Sequence, residues 1–199
     1  MSFGGDCDSV ACRSYDRDHT SFDDAVDGGS RVVIVAAAGN GDSSGNGYDT
    51  GDPHFVHPCI EDHVICVGAL NNDATTKIGY SNFGRVSIFA PTNIPVMSQP
   101  ASNDSNPNGP AAPRSFGGTS ASTPFVAGVA AMMKAVNPNL NSDQVNQILQ
   151  DTAHRGSVPV DFYIDTYAAV RRAAEGIDGE VISEGLGGIA PVSTEFLRT

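Results

Sequence analysis

Gly118-Thr119-Ser120-Ala121-Ser122-Thr123-Pro124-Phe125-Val126-Ala127-Gly128 joins a strand exit to an apolar helix, and the rest of the chain reads as support for it. Gly117 and Gly118 permit a tight turn that most side chains would obstruct. The small residues from Thr119 to Ser122 then let the backbone approach a neighbour closely. Pro124 is expected in the first helical turn, where a missing N–H costs nothing. From Phe125 to Val136 nearly every residue is Ala, Val, Met, Phe or Gly, with one Lys, so this helix is expected to be buried on all sides. A serine at its start lies among unpaired N–H groups at the positive end of the helix dipole, a setting that favours a developing oxyanion. A lone serine in that position is also an ordinary helix cap, so Ser120 needs support from other segments.

The composition sets the frame. With 199 residues, 40% hydrophobic content, 22 Gly and 12 Pro, the chain suits one loop-rich globular domain. A formal net charge of −12 argues against nucleic acid or an anionic membrane as partner. No apolar run approaches spanning length, and Met1 to Gly5 lacks the basic and hydrophobic regions of a secretion signal. The four cysteines fall into two close pairs, Cys7 with Cys12 and Cys59 with Cys66. Two local disulfides are the simplest of the three pairings and point to an extracellular location. A zinc site is the rival, but neither pair has the two-residue spacing of a ribbon or finger.

Upstream, Val32-Val33-Ile34-Val35-Ala36-Ala37-Ala38 is a continuous β-branched and small apolar run, expected to be a central parallel strand buried on both faces. It delivers Gly39-Asn40-Gly41 to the carboxyl end of the sheet, where α/β folds place ligand chemistry. Ser21 is read as the cap of a short helix through Val26, and Gln99 to Pro113 as a long loop over the cleft edge. Asn141 and Gln144 are spaced as a capping box, with Leu140 against Val145 as a hydrophobic staple and Val145, Ile148, Leu149 and Thr152 as the buried face.

Position for position, the Gly118 to Gly128 string resembles the nucleophile signature of the subtilisin-like serine proteases, or subtilases, Gly-Thr-Ser-x-Ala/Ser-x-Pro followed by small residues. It differs from the Gly-x-Ser-x-Gly elbow of α/β-hydrolases, since Ser122 holds the last position. Further segments are similar to the same family in the same order: Ser2-Phe3-Gly4-Gly5, Ala37-Ala38-Gly39-Asn40, His57-Pro58 with Val64 to Ala69, Ser81-Asn82-Phe83-Gly84, and Ala90-Pro91. The resemblance implies an α/β, parallel-sheet, three-layer subtilisin-like fold. It implies that Ser120 is the nucleophile and that the Asn40 carboxamide, with the Ser120 N–H, forms an oxyanion hole. It also implies that Ser2, Phe3 and Gly4 pair with an extended polypeptide substrate, that Gly118 and Thr119 lie against it, and that Val56 forms a shallow floor to the primary specificity pocket. Many subtilases hold calcium through an Asp where this chain has Ser87, a poorer ligand for a hard cation. No cofactor or metal ligand is therefore assigned, calcium elsewhere in a full-length protein stays open, and Glu61 and Asp62 are read as solvated charges.

Serine proteolysis also needs a base and a carboxylate that orients it. The family's Asp-Thr/Ser-Gly and His-Gly-Thr segments are not found, and His19, His54, His57, His63 and His154 lack that context. The resemblance therefore covers the C-terminal half of a peptidase domain over residues 1–175, with 176–199 as a linker or the start of a further region. The fold is expected to be incomplete on its N-terminal side, and the missing half of the domain is expected as a partner. The reading is a serine endopeptidase present as a fragment of a secreted protease. The alternative is a noncatalytic pseudoprotease that binds extended peptides.

Overall fold

The computed structural model describes residues 5–7, 32–51, 55–98, 108–156 and 162–176. Its centre is a five-stranded sheet in the order β2 (Ile34–Ala37), β4 (Val64–Ala69), β5 (Ile88–Ala90), β9 (Phe162–Tyr163) and β8 (His154–Arg155). The first four are parallel, and β8 closes one edge antiparallel to β9. β4 is the longest strand of this sheet, and all six of its residues, Val-Ile-Cys-Val-Gly-Ala, are buried, as expected for a strand covered on both faces. Three helices, α1 (Thr119–Val136), α2 (Ser142–Thr152) and α3 (Thr166–Glu175), pack on one face. There Ile65, Val67 and Ile88 meet Val126, Val129, Met133, Leu140, Ile148 and Leu149 in one core. The opposite face is smaller: Ala36, Ala38, Val64 and Cys66 pack on Val56 and Cys59. The architecture is α/β, as expected.

Two short antiparallel ribbons complete the description. β1 (Gly5–Cys7) pairs with β3 (Phe55–His57), and β6 (Ile94–Ser98) pairs with β7 (Ala112–Phe116). The second ribbon corrects the reading of Gln99 to Pro113 as loop throughout, because Ala112 and Pro113 are ladder residues opposite Ser98 and Met97. Asn141 caps α2 as expected, accepting from the Gln144 N–H while the Gln144 side chain accepts from the Asn141 N–H. Leu140 and Val145 of the staple are both buried. The Cys59–Cys66 disulfide is formed, with Cα atoms 4.8 Å apart. The Cys7–Cys12 pairing, the helix expected after Ser21, and residues 177–199 lie outside the described residues.

Within the run from Val32 to Ala38, β2 lies parallel to β4, and Val35 to Ala38 are buried. Two further expectations are corrected. The helix begins at Thr119, so Pro124 falls in the second turn and removes the donor that would otherwise reach the Ser120 carbonyl. Nor is α1 buried all round. Pro124, Ala127, Gly128, Ala131, Met132 and Ala135 are exposed, and Ala127 and Ala131 line a depression with Val33, the residue before β2.

Candidate active site

The site is built where β2 and β4 end and α1 begins. Gly118 caps α1 with φ 84 and ψ 169, a left-handed conformation that a side chain would resist. A Cβ placed there would also lie 3.2 Å from Asn40 Nδ2. Because Gly118 occupies the capping position, Ser120 is not the cap of its helix. It sits one residue inside the first turn, half-buried. The neighbouring hydroxyls are spent on structure. Thr123 Oγ1 donates to the Thr119 carbonyl at 2.8 Å, and Ser122 Oγ donates to the carbonyls of Ala90 and Pro91 at 3.1 and 3.0 Å. Thr119, Ser122 and Thr123 are all buried, which leaves Ser120 as the hydroxyl of this turn that reaches the surface.

Asn40 is brought to the same turn from the end of β2. Its Oδ1 accepts from the Thr119 N–H at 2.9 Å and from Thr119 Oγ1 at 3.0 Å. A backbone N–H can only donate, so the carboxamide orientation follows from its partners. With Oδ1 doubly engaged, Nδ2 is the donor end of this exposed side chain, and both ends lie close to Gly118. A carboxamide donor beside a serine hydroxyl at a helix N-terminus is an arrangement that stabilises negative charge on a substrate oxygen.

The turn that presents Asn40 is held from below by Asn82, fully buried and not singled out by the sequence reading beyond its place in Ser-Asn-x-Gly. Its Nδ2 donates to the Ala38 carbonyl at 2.8 Å, its Oδ1 accepts from the Tyr48 N–H at 3.1 Å, and its own N–H donates to the Gly39 carbonyl at 3.1 Å. Asn82→Ala would remove the side-chain partners of the Ala38 C=O, which is buried, and of the Tyr48 N–H. We expect it to destabilise the fold by about 1–3 kcal/mol per orphaned group, read as a lower urea midpoint. The 78–81 turn is in turn gathered by Lys77, whose Nζ donates to the carbonyls of Ile78, Gly79 and Ser81 at 3.1, 3.1 and 2.8 Å. Burial pushes the Lys77 pKa below the usual lysine value.

The remaining assigned residues fall as follows. Val56 is buried in β3, and its Cγ1 lies 3.8 Å from where a Cβ on Gly39 would stand, so it underlies the residue next to Asn40. Ser2, Phe3 and Gly4 lie outside the described residues. Ser87 Oγ accepts from the Cys66 N–H at 3.1 Å and thus serves the sheet. Glu61 is not a solvated charge: its Oε1 lies 2.7 Å from Nδ1 of His57, and both side chains are largely buried. Among the described residues no cluster of three His, Cys, Asp or Glu side chains could hold a metal, and no described helix is long and apolar enough to cross a membrane.

Fold and site together define an α/β protein with a serine in the first turn of a helix, tied through Thr119 to an asparagine that follows a strand of its sheet. A family model described as the subtilase family matches residues 1–179. Subtilisin DY of Bacillus licheniformis is 34% identical over 154 residues, which span 77% of this chain and 48% of that relative. A calcium-dependent protease of Trichormus variabilis is 36% identical over 146 residues, 64% of this chain and 20% of the relative. Among solved structures, a protease from Pseudoalteromonas arctica superposes with a TM-score of 0.65 at 23% identity, over 87% of this chain and 50% of that one. At that identity the likeness is one of fold. This chain belongs to the subtilase family. It spans about half the length of the curated relatives it matches, or less.

Proposed function

We propose that this chain supplies the C-terminal half of a serine endopeptidase domain, with Ser120 as nucleophile and Asn40 as side-chain donor of the oxyanion hole. The observation that carries the reading is the double hydrogen bond from Thr119 to Asn40 Oδ1, which ties Asn40 to the turn that bears Ser120 and leaves Nδ2 as the donor end of the carboxamide. The substrate is a polypeptide, extended along Gly118 and Thr119 and over the floor at Val56. Ser2, Phe3 and Gly4 remain assigned to strand pairing with it. The base and its orienting carboxylate come from the other half of the domain. The exposed small-residue face of α1 supports that assignment, since it is an apolar surface that further packing would cover. The Cys59–Cys66 disulfide supports secretion. No role for calcium is assigned at Ser87.

The test is a fluorophosphonate probe applied to the full-length protein that carries this chain, followed by peptide mapping. Stoichiometric labelling at Ser120 is the expected result. A protein that binds extended peptides but leaves Ser120 unlabelled would overturn the enzymatic reading in favour of a noncatalytic binder.

A further inference from the structure

One residue of the site is held by both of its backbone groups from outside its own helix. The Gly118 N–H is the kind of helix-start donor that no intrahelical carbonyl reaches, and it donates to Tyr80 Oη at 3.0 Å. The Gly118 carbonyl accepts from Thr92 Oγ1 at 2.9 Å, in addition to the N–H groups of Ala121 and Ser122 in the first turn. Tyr80 Oη and Thr92 Oγ1 are themselves 3.5 Å apart. Proton bookkeeping then fixes the sense of the ring. The single Thr92 hydroxyl proton is committed to the Gly118 carbonyl, and Tyr80 Oη already accepts from the Gly118 N–H. In the Tyr80–Thr92 contact the phenol is therefore the donor and Thr92 Oγ1 the acceptor, across the long side. Tyr80 comes from the turn between β4 and β5, Thr92 follows β5, and Gly118 opens α1, so three separate segments converge on one glycine.

Gly118 has no side chain with which to anchor itself, and its left-handed φ lies outside the range other residues prefer. Its peptide plane determines where the Thr119 N–H points, and that N–H is what fixes Asn40. We propose that Tyr80 and Thr92 are positioning residues for the oxyanion site, clamping Gly118 so that Thr119 holds the Asn40 carboxamide with Nδ2 toward the substrate oxygen. Neither side chain touches substrate. Both act through Gly118 and Thr119. The inference rests on the proposed roles of Ser120 and Asn40.

It predicts a particular kinetic signature. In the full-length protein, Tyr80→Phe and Thr92→Val each lower kcat by between about 10- and 100-fold, the scale expected when a catalytic group is displaced without being removed. KM changes by less than about twofold, because ground-state contacts are kept. The double variant is no worse than the poorer single one, because both break the same ring. Thr92→Ser restores the rate. Affinity for a peptide boronate falls in proportion to kcat/KM, while a substrate-like peptide that forms no covalent adduct binds as before. The urea midpoint is followed in parallel. Single variants that turn over as the parent does, or a Thr92→Ser variant as slow as Thr92→Val, overturn the clamp. The same would follow if kcat and KM changed together with the urea midpoint. Fluorophosphonate labelling of the parent at Ser120 separates the two levels. A labelled parent with unaffected variants sinks the clamp alone, and an unlabelled parent sinks the catalytic reading and the clamp with it.

Discussion

Ser120→Ala should lower amide hydrolysis by the full-length protein by about 10⁶-fold, the scale by which a covalent serine mechanism exceeds what binding and an oxyanion hole achieve without the nucleophile. The fold should tolerate the change. Ser120 does not cap its helix, that position being taken by Gly118, and alanine is the best helix former. The structural hydroxyls of the turn belong to Thr119, Ser122 and Thr123 and are untouched. Peptide affinity should therefore survive while kcat collapses, which progress curves and equilibrium binding to the same substrate would show. An alanine variant retaining more than about one hundredth of the parental rate would remove Ser120 from the chemistry.

Asn40→Asp should cost about 10²–10³ in kcat with little change in KM, equivalent to about 3–4 kcal/mol of lost transition-state stabilisation. Aspartate is the informative replacement. It keeps an acceptor for the Thr119 N–H and hydroxyl, so the turn remains tied, but it exchanges the two Nδ2 donors for a negative charge facing another negative charge. Asn40→Leu removes the donors as well, yet it also strands the buried Thr119 N–H and mixes a structural loss with the electrostatic one. A deficit in the aspartate variant at least as large as in the leucine variant separates the two effects. Equal activity of Asn40→Asp and the parent would exclude the carboxamide as an oxyanion donor.

The parts of this site legible in the sequence are those encoded by neighbours. The Gly-Thr-Ser turn, the strand leading to Asn40, and the Asn141–Gln144 capping box are written within a few residues, and the structure forms each of them. What was not legible depends on distant pairs. Tyr80 reaches Gly118 across 38 residues and Asn82 reaches Ala38 across 44, and neither side chain carries a local sign of its partner. The exposed side of α1 was obscured for the same reason: Ala127, Gly128 and Ala131 suit close packing, whether or not the packing partner belongs to the same stretch of sequence.

Lys77 carries a last consequence. Its ammonium group does for the carbonyls of Ile78, Gly79 and Ser81 what a bound cation would do, but it is covalently tethered and cannot dissociate. Chelators and dilution therefore leave the turn beneath Tyr80 and Asn82 its counter-charge, because the charge is part of the chain.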